Sequence, residues 1–206
     1  MKLILVNPNP LPSPDPESLQ FLQTAVALAK NNIDVYFIVS KGLSESVETY
    51  YNLQIPRNLH LHLLPCFKIQ YAKMRISSNL PFFFLSLFKI LDIIKKQKIN
   101  AIVVRNLKLG YFLLGWGHIL NLPSLLFETH EIFTMSFREE MSRKGIKSHK
   151  KEYKIEKMER FVYKTANGII CITGQLSRII KEQFAIKGPV LIAPDGVNLE
   201  FFHGNK

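Results

Sequence analysis

Residues 101–127, in the middle of the chain, read AIVVRNLKLGYFLLGWGHILNLPSLLF. The short apolar run Ala101–Val104 predicts a strand, the longer apolar stretch Leu107–Leu120 predicts a helix, and residues 124–127 predict a second strand. Two strands separated by one helix favour a parallel pair with a helical crossover between them.

The same alternation continues on both sides of this unit. Near the N-terminus, Asp15-Pro16-Glu17 predicts the start of a helix, because aspartate can cap free amides and proline suits the first helical position. Further strands are predicted at 3–6, 35–39, 59–64, 168–172 and 190–193, and further helices at 81–98 and 175–184. The fold class is therefore α/β, with a Rossmann-like, doubly wound and mainly parallel sheet of about seven strands and helices on both faces. We expect one domain over residues 1–198 and a linker or tail over 199–206.

The predicted helix over 81–98 has an expected solvent face. Its polar residues are three to four positions apart and would form one wet stripe: Ser86, Lys89, Asp92 and Lys96. The segment is too short and too charged to span a membrane, and no signal peptide is evident. We therefore expect a cytoplasmic protein, either free or peripheral at the inner face of the membrane.

The net charge of +11 is concentrated in one segment. Residues 138–164 contain ten basic and five acidic side chains, a net charge of +5. We predict a helical region here whose apolar face consists of Ile155, Met158, Val162 and Ala166. The basic side is either a solvated helix face or a surface for an anionic membrane or a phosphate-bearing ligand. No RNA-binding aromatic signature or zinc-finger spacing accompanies it, so no nucleic-acid partner is expected.

Ligand-binding residues are expected in the loops at the carboxyl ends of the strands, at 7–16, 40–46, 105–106 and 128–133. The first loop has five prolines and no glycine, which argues against a phosphate-cradling turn. The last loop contains Glu128-Thr129-His130-Glu131, three ionisable groups at one strand end. A histidine there can donate a hydrogen bond to a sugar hydroxyl or a phosphate. The alternative is a surface loop with incidental charge.

Several other site motifs are incomplete. Gly110 and Gly115 have P-loop spacing, but Trp116 occupies the lysine position. His60 and His62 lack a third metal ligand and are expected to be exposed on a strand. Two cysteines, Cys66 and Cys171, are too few for a disulfide scaffold or a zinc site and are expected to be buried thiols.

Three blocks of the sequence together resemble family 4 glycosyltransferases of the GT-B fold. The first is the opening strand, turn and helix up to Asn32-Ile33-Asp34-Val35. The second is Val104-Arg105-Asn106 with Phe127-Glu128-Thr129-His130-Glu131-Ile132. The third runs from Glu159-Arg160-Phe161-Val162-Tyr163 through Ala166-Asn167-Gly168 to Ala193-Pro194-Asp195-Gly196-Val197-Asn198.

The resemblance covers the N-terminal half of such an enzyme, and it implies transfer of a sugar from a nucleotide-sugar to an acceptor with retention at the anomeric carbon. His130 matches the family's N-domain histidine near the transferred sugar, and it is the expected catalytic residue. Expected acceptor-binding residues are Asn7, Asn9, Ser13, Arg105, Asn106, Glu128 and Glu131. Expected interdomain residues are Asp195, Gly196 and Asn198.

The resemblance also implies that the nucleotide is held mostly by a second, donor-binding domain. We expect that half in a longer protein or in a separate polypeptide, with no activity of this chain alone, no permanently bound cofactor and no metal. Beyond 198, the apolar Leu199, Phe201 and Phe202 predict a docked tail or a homodimer. The alternative function is a non-catalytic α/β module that binds a partner protein or an anionic membrane surface.

Overall fold

The computed structural model describes residues 1–65, 69–71, 74–76 and 79–196. It confirms the α/β fold class: seven strands form a parallel sheet flanked by helices, in the strand order β3-β2-β1-β6-β7-β8-β9. The chain divides into two compact units, Met1–Leu125 and Leu126–Lys206.

The first unit contains four parallel strands and a short antiparallel hairpin. Its elements are β1 Lys2–Leu11, α1 Pro16–Lys30, β2 Asp34–Lys41, α2 Val47–Tyr51, β3 Leu59–Leu64, β4 Ile69–Tyr71, β5 Met74–Ile76, α3 Leu80–Lys96, β6 Ala101–Val104 and α4 Leu107–Leu120. β1 is central, because it pairs with β2 on one side and with β6 on the other. Leu5, Phe37 and Ile102 are fully buried there, as expected for strands covered on both faces.

The second unit begins within β7. Its elements are β7 Ser124–Thr129, α5 Phe133–Arg143, α6 His149–Thr165, β8 Gly168–Cys171, α7 Gly174–Phe184 and β9 Val190–Ile192. β8 is paired in parallel with β7 and with β9. Phe127, Val162 and Phe184 are fully buried in this unit, and Cys171 is a buried free thiol, as predicted, whereas Cys66 lies outside the described residues.

The solvent face predicted for α3 is wrong at Ser86, although Lys96 is exposed and Lys89 and Asp92 are partly exposed. Ser86 has no exposed surface, and its hydroxyl donates a hydrogen bond to the Phe83 carbonyl 2.9 Å away. A serine that bonds to the backbone of its own helix needs no water, so it can be buried. The exposed positions at the start of α3 are Leu80, Phe84 and Phe88 instead.

The basic segment forms two helices, α5 and α6, with a turn between them. The α6 face that packs inward includes Val162, as predicted, but it also includes the carboxylic acid Glu159, and neither has any exposed surface. Met158 is only partly buried. In the part of the chain that the structure describes, no helix is long and apolar enough to cross a membrane.

Candidate functional site

The second unit places His130 directly after β7, at the carboxyl end of a parallel strand. Its ring nitrogen Nε2 lies 3.0 Å from Glu128 Oε1. The His130 side chain is 25% exposed and that of Glu128 10%, so the pair is open to a ligand on the histidine side. Because a carboxylate only accepts hydrogen bonds, Glu128 places the proton of a neutral His130 ring on Nε2.

The other ring nitrogen of His130 faces a residue far along the chain. Nδ1 lies 3.8 Å from Asp195 Oδ2, which is longer than a hydrogen bond. Asp195 and the neighbouring Gly196 are exposed, and Asn198 lies outside the described residues. Glu128, a predicted acceptor-binding residue, and Asp195, a predicted interdomain residue, therefore lie beside opposite ring nitrogens of His130.

Glu128, His130 and Asp195 are also a potential cation site. One ligand atom from each lies within 4.8 Å of the others, and two carboxylates with one imidazole suit a divalent ion. The 3.0 Å contact between His130 and Glu128 is, however, an ordinary charge-assisted hydrogen bond, which accounts for that contact without an ion. The expectation of a metal-free site stays a prediction.

Side chains of α6 form hydrogen bonds that fix the loop containing His130. The Glu159 carboxylate accepts hydrogen bonds from the amide of Phe133 at 2.7 Å, and from the amide and hydroxyl of Thr134 at 3.2 and 2.5 Å. The N-cap residue of α5, Ile132, has no side-chain acceptor, so Glu159 supplies the cap from another helix. Burial raises the pKa of Glu159, against the opposing effect of these donors.

Tyr163, one turn further along α6, completes this support. Its hydroxyl lies 3.1 Å from Thr129 Oγ1 and donates to the Glu131 carbonyl at 3.3 Å. Thr129 donates to the same carbonyl at 2.7 Å. The backbone on both sides of His130 is thus fixed by buried side chains, while the Glu131 side chain is exposed.

The first unit gathers a second group of predicted site residues where β1 and β6 separate. β6 follows β1 only up to the pair Val6 and Val104, whereas β1 continues beside β2 to Leu11. The strand order reverses here, which is where doubly wound sheets form a ligand crevice. Asn7 lies at this point, 1% exposed, and its Nδ2 has no hydrogen-bond partner in the described part of the chain.

Arg105 follows β6 and is almost fully buried. Its guanidinium lies 4.6 Å from the centre of the Phe21 ring and donates to Gln20 Oε1 at 3.1 Å. Both partners belong to α1, so the charge of Arg105 is anchored to the helix that follows β1.

The other predicted acceptor-binding residues of this unit form hydrogen bonds within their own loops and at helix starts. The Asn9 amide nitrogen Nδ2 donates to Asp15 at 3.4 Å, and Ser13 Oγ accepts from the Asp15 amide at 3.1 Å. Asp15 in turn caps α1, as predicted. Asn106 caps α4 by accepting from the Leu109 amide at 3.0 Å.

The loop after β1 is further fixed by residues that the sequence did not single out. The Tyr51 hydroxyl accepts from the Ser13 amide and donates to its carbonyl, at 2.9 and 2.6 Å. Gly42 packs so closely that a Cβ there would lie 2.0 Å from the Pro12 carbonyl oxygen. No pattern marks Tyr51, because α2 is only five residues long.

The two strand histidines differ from the prediction that both are exposed. His60 is exposed, but His62 is half-buried. Burial, helped by the positive charge of Lys89, lowers the pKa of His62 to about 4. The buried Nε2 of His62 has no hydrogen-bond partner among the described residues.

No family model matches the chain, and no curated protein matches it either. Solved structures do match. Sucrose-phosphate synthase from Thermosynechococcus elongatus is similar with a TM-score of 0.64 and 14% identity, over 97% of this chain and 49% of that chain. UGT2 of Phytolacca americana gives 0.62 and 11%, over 98% and 54%. HepE of Anabaena, in complex with UDP, gives 0.57 and 11%, over 98% and 46%.

These similarities show the fold. The chain has the Rossmann-like architecture of one half of a GT-B fold, and it spans about half the length of the structures that it matches. The UDP-GlcNAc 2-epimerase from Methanocaldococcus jannaschii is also similar, with a TM-score of 0.55 and 14% identity, over 93% of this chain and 45% of that chain. Since that protein is an epimerase, the fold alone does not specify sugar transfer.

Proposed function

We propose that this chain is the acceptor-side half of a retaining glycosyltransferase, which transfers a sugar from a nucleotide-sugar to an acceptor. The observation that carries the proposal is His130. Its imidazole lies at the carboxyl end of β7, is oriented by Glu128 and is partly open to solvent. Such an arrangement suits a residue that contacts a ligand and whose geometry has to be held constant.

The chemistry expected of His130 is hydrogen bonding. With the proton on Nε2, a neutral ring offers Nδ1 as an acceptor to a sugar hydroxyl that enters beside Asp195. Glu159 and Tyr163 have an indirect, positioning role, because they fix the backbone that carries the ring. Asn7 and Arg105, at the crevice of the first unit, are the proposed acceptor contacts there.

The donor-binding half is proposed to come from a longer protein or from a separate polypeptide. Two of the similar proteins bind or act on UDP compounds: HepE is in complex with UDP, and the epimerase acts on a UDP-sugar. UDP-sugars are therefore the donors to test first. Neither a permanently bound cofactor nor a metal is part of the proposal.

The proposal is tested by reconstituting the chain with a donor-binding half. That half would be encoded downstream in the same reading frame or by a neighbouring reading frame. UDP release from UDP-glucose and other UDP-sugars is measured with a pool of cell-envelope glycans and lipids as acceptors, and the product's anomeric configuration is read by NMR. His130→Ala should lower transfer by about 100-fold, as loss of a well-placed hydrogen-bonding group does.

The matched control is His118→Ala, an exposed histidine on α4, which should leave transfer unchanged. Equal activity of His130→Ala and the control would contradict the role of His130. Inversion at the anomeric carbon would contradict the retaining mechanism. Absence of transfer in every reconstituted pair would favour the non-catalytic α/β module.

A further inference from the structure

The outer face of α3 is apolar where a surface helix is usually polar. Leu80, Phe84 and Phe88 succeed one another at four-residue spacing and are 55%, 44% and 65% exposed. Residues this far apart lie on one side of a helix. The charged residues Asp92 and Lys95 continue the face only towards the end of α3.

The neighbouring helix α4 extends this surface. The ring of Phe112 lies 5.1 Å from that of Phe84 and 6.5 Å from that of Trp116, centre to centre. Trp116 and Ile119, one turn apart on α4, are 40% and 72% exposed. We call this surface, formed by Leu80, Phe84, Phe88, Trp116 and Ile119, the aromatic face. Apolar surfaces of this kind that adjoin one another usually mark a binding surface.

The charges on the two helices indicate what covers the aromatic face. α3 and α4 together contain four lysines, Lys89, Lys95, Lys96 and Lys108, but only one acidic residue, Asp92. Asp92 is already paired with Lys96 at 2.6 Å and approached by Lys89 at 3.7 Å. Positive charge beside exposed phenylalanine and tryptophan matches a bilayer that contains anionic lipids.

We propose that the aromatic face docks on the surface of a membrane containing anionic lipids, with its rings at the level of the headgroups. Leu80, Phe84 and Phe88 would leave water on docking, and the lysines would meet lipid phosphates. The site differs from the basic segment at 138–164, which belongs to the second unit. It also does not depend on sugar transfer, so a failure of the proposed function would leave it standing.

The sequence contains an intrinsic fluorescent probe for testing this proposal. Trp116 is the single tryptophan of the sequence and belongs to the aromatic face. The experiment titrates the 206-residue chain with vesicles of phosphatidylcholine alone, and of phosphatidylcholine mixed with phosphatidylglycerol. Emission of Trp116 should shift to shorter wavelength with the anionic vesicles, and brominated lipids should quench it.

The variant that tests the surface is the double substitution Phe84→Ser and Phe88→Ser, which leaves the probe in place. Partition to anionic vesicles should fall by at least about tenfold, since each buried phenyl ring contributes on the order of a factor of ten. Leu191→Ser is the matched control, because Leu191 on β9 is 61% exposed, close to the 65% of Phe88, and lies outside both the aromatic face and the basic segment. Its partition should stay at the wild-type value, with circular dichroism confirming that both variants fold.

Three results would overturn the proposal. One is vesicle binding with unchanged Trp116 emission, which would place the contact on another surface such as the basic segment. The second is equal binding by the double variant and the wild type. The third is an emission shift that depends on protein concentration without lipid, which would identify a second copy of the chain as the occupant.

Discussion

Glu159 is a carboxylic acid without exposed surface, and it serves as the cap of a helix to which it does not belong. Its two oxygens accept from the Phe133 amide and from the amide and hydroxyl of Thr134. Amides at a helix start have no partner within their own helix, so a buried start without Glu159 would leave them unsatisfied.

Glu159→Ala should therefore lower the free energy of unfolding by about 3 kcal/mol, because it leaves several buried hydrogen-bond donors without an acceptor at once. Glu159→Gln keeps one acceptor oxygen and should cost only about 1 kcal/mol. Urea unfolding of both variants checks the difference. Equal and small losses in the two variants would show that water satisfies the start of α5.

The pH dependence of Glu159 has a definite sign. Its pKa in the folded protein is raised by burial above the ordinary value of 4.5. The stabilising contribution is therefore complete below 4.5 and is lost as the pH rises through the raised value. As the pH rises through this range, the free energy of unfolding of the wild type should decline relative to that of Glu159→Gln. A difference between the two proteins that does not change with pH would contradict the raised pKa of Glu159.

His62 has the opposite pH dependence. Burial lowers its pKa from 6.5 to about 4, so its contribution is complete above 6.5 and is lost as the pH falls towards 4. His62→Leu, which also removes a buried nitrogen without a described partner, should resist this loss. Unfolding free energies across the range measure it, with His60→Leu, at an exposed position of the same strand, as the control. Parallel pH profiles of wild type and His62→Leu would refute the assignment.

At single positions, the sequence pattern predicted helix caps and strand ends better than it predicted burial. Asp15 could be recognised as a cap and Glu128-Thr129-His130-Glu131 as a strand-end loop, because both signals are local. Glu159 has helical spacing from Ile155 and Val162 and so belongs to the inward stripe, but its charge suggested the surface. Its burial depends on amides 25 and 26 positions earlier in the chain, which no local pattern reveals.

At the scale of elements, Asn106 connects β6 to α4 and has two assignments that can be separated. Its Oδ1 accepts from the Leu109 amide at 3.0 Å, which is a helix cap, and it is also a proposed acceptor contact. Asn106→Ala should cost about 1 kcal/mol of stability, whereas Asn106→Ser should be nearly neutral, because serine is an equally good cap. Thermal or urea unfolding tests the cap. If the serine variant is stable but inactive in the reconstituted enzyme, the acceptor contact is supported as well.

The boundaries of strands and helices were predictable to within two residues for most elements, and β1 is the main exception. The sequence predicts a strand over 3–6, because Pro8 and Pro10 lack the amide needed for pairing. The structure continues β1 to Leu11, with an irregular register between Asn7 and Pro10 that lets pairing with β2 resume at Ser40. Pairing with a neighbour can thus override local propensity. The short elements α2, β4 and β5 have no apolar period long enough to be recognised.

At the scale of the whole molecule, several basic side chains of residues 138–164 are ion-paired with glutamates of the same segment. Arg138 contacts Glu152 at 2.5 Å, Arg160 contacts Glu156 at 3.3 Å, and Lys144 contacts Glu140. The exposed pairs contribute little to stability, and the segment keeps its net charge of +5, because that sum already includes its five glutamates. The contact of residues 138–164 with anionic lipid therefore stays a prediction, and it is separable from docking through the aromatic face.

The 206-residue chain should fold by itself and yet not transfer sugar. Each unit has its own fully buried apolar side chains, among them Leu5 and Ile102 in the first and Phe127 and Phe184 in the second. Burial on this scale favours a cooperative transition. Trp116 fluorescence reports the first unit and far-ultraviolet circular dichroism reports both. Coincident melting curves are expected, and separate transitions would show that the units unfold independently.

Activity of the same preparation provides the second half of this prediction. The resemblance assigns the nucleotide to a donor-binding half, so the chain alone should release no UDP from UDP-glucose or other UDP-sugars, with or without acceptor. The comparison is the same chain after reconstitution, because a misfolded sample would be inactive in both assays. A folded chain that turns over a UDP-sugar unaided would have to hold the nucleotide itself. The crevice between β1 and β6, with Asn7 and Arg105, would then be the first place to look for it.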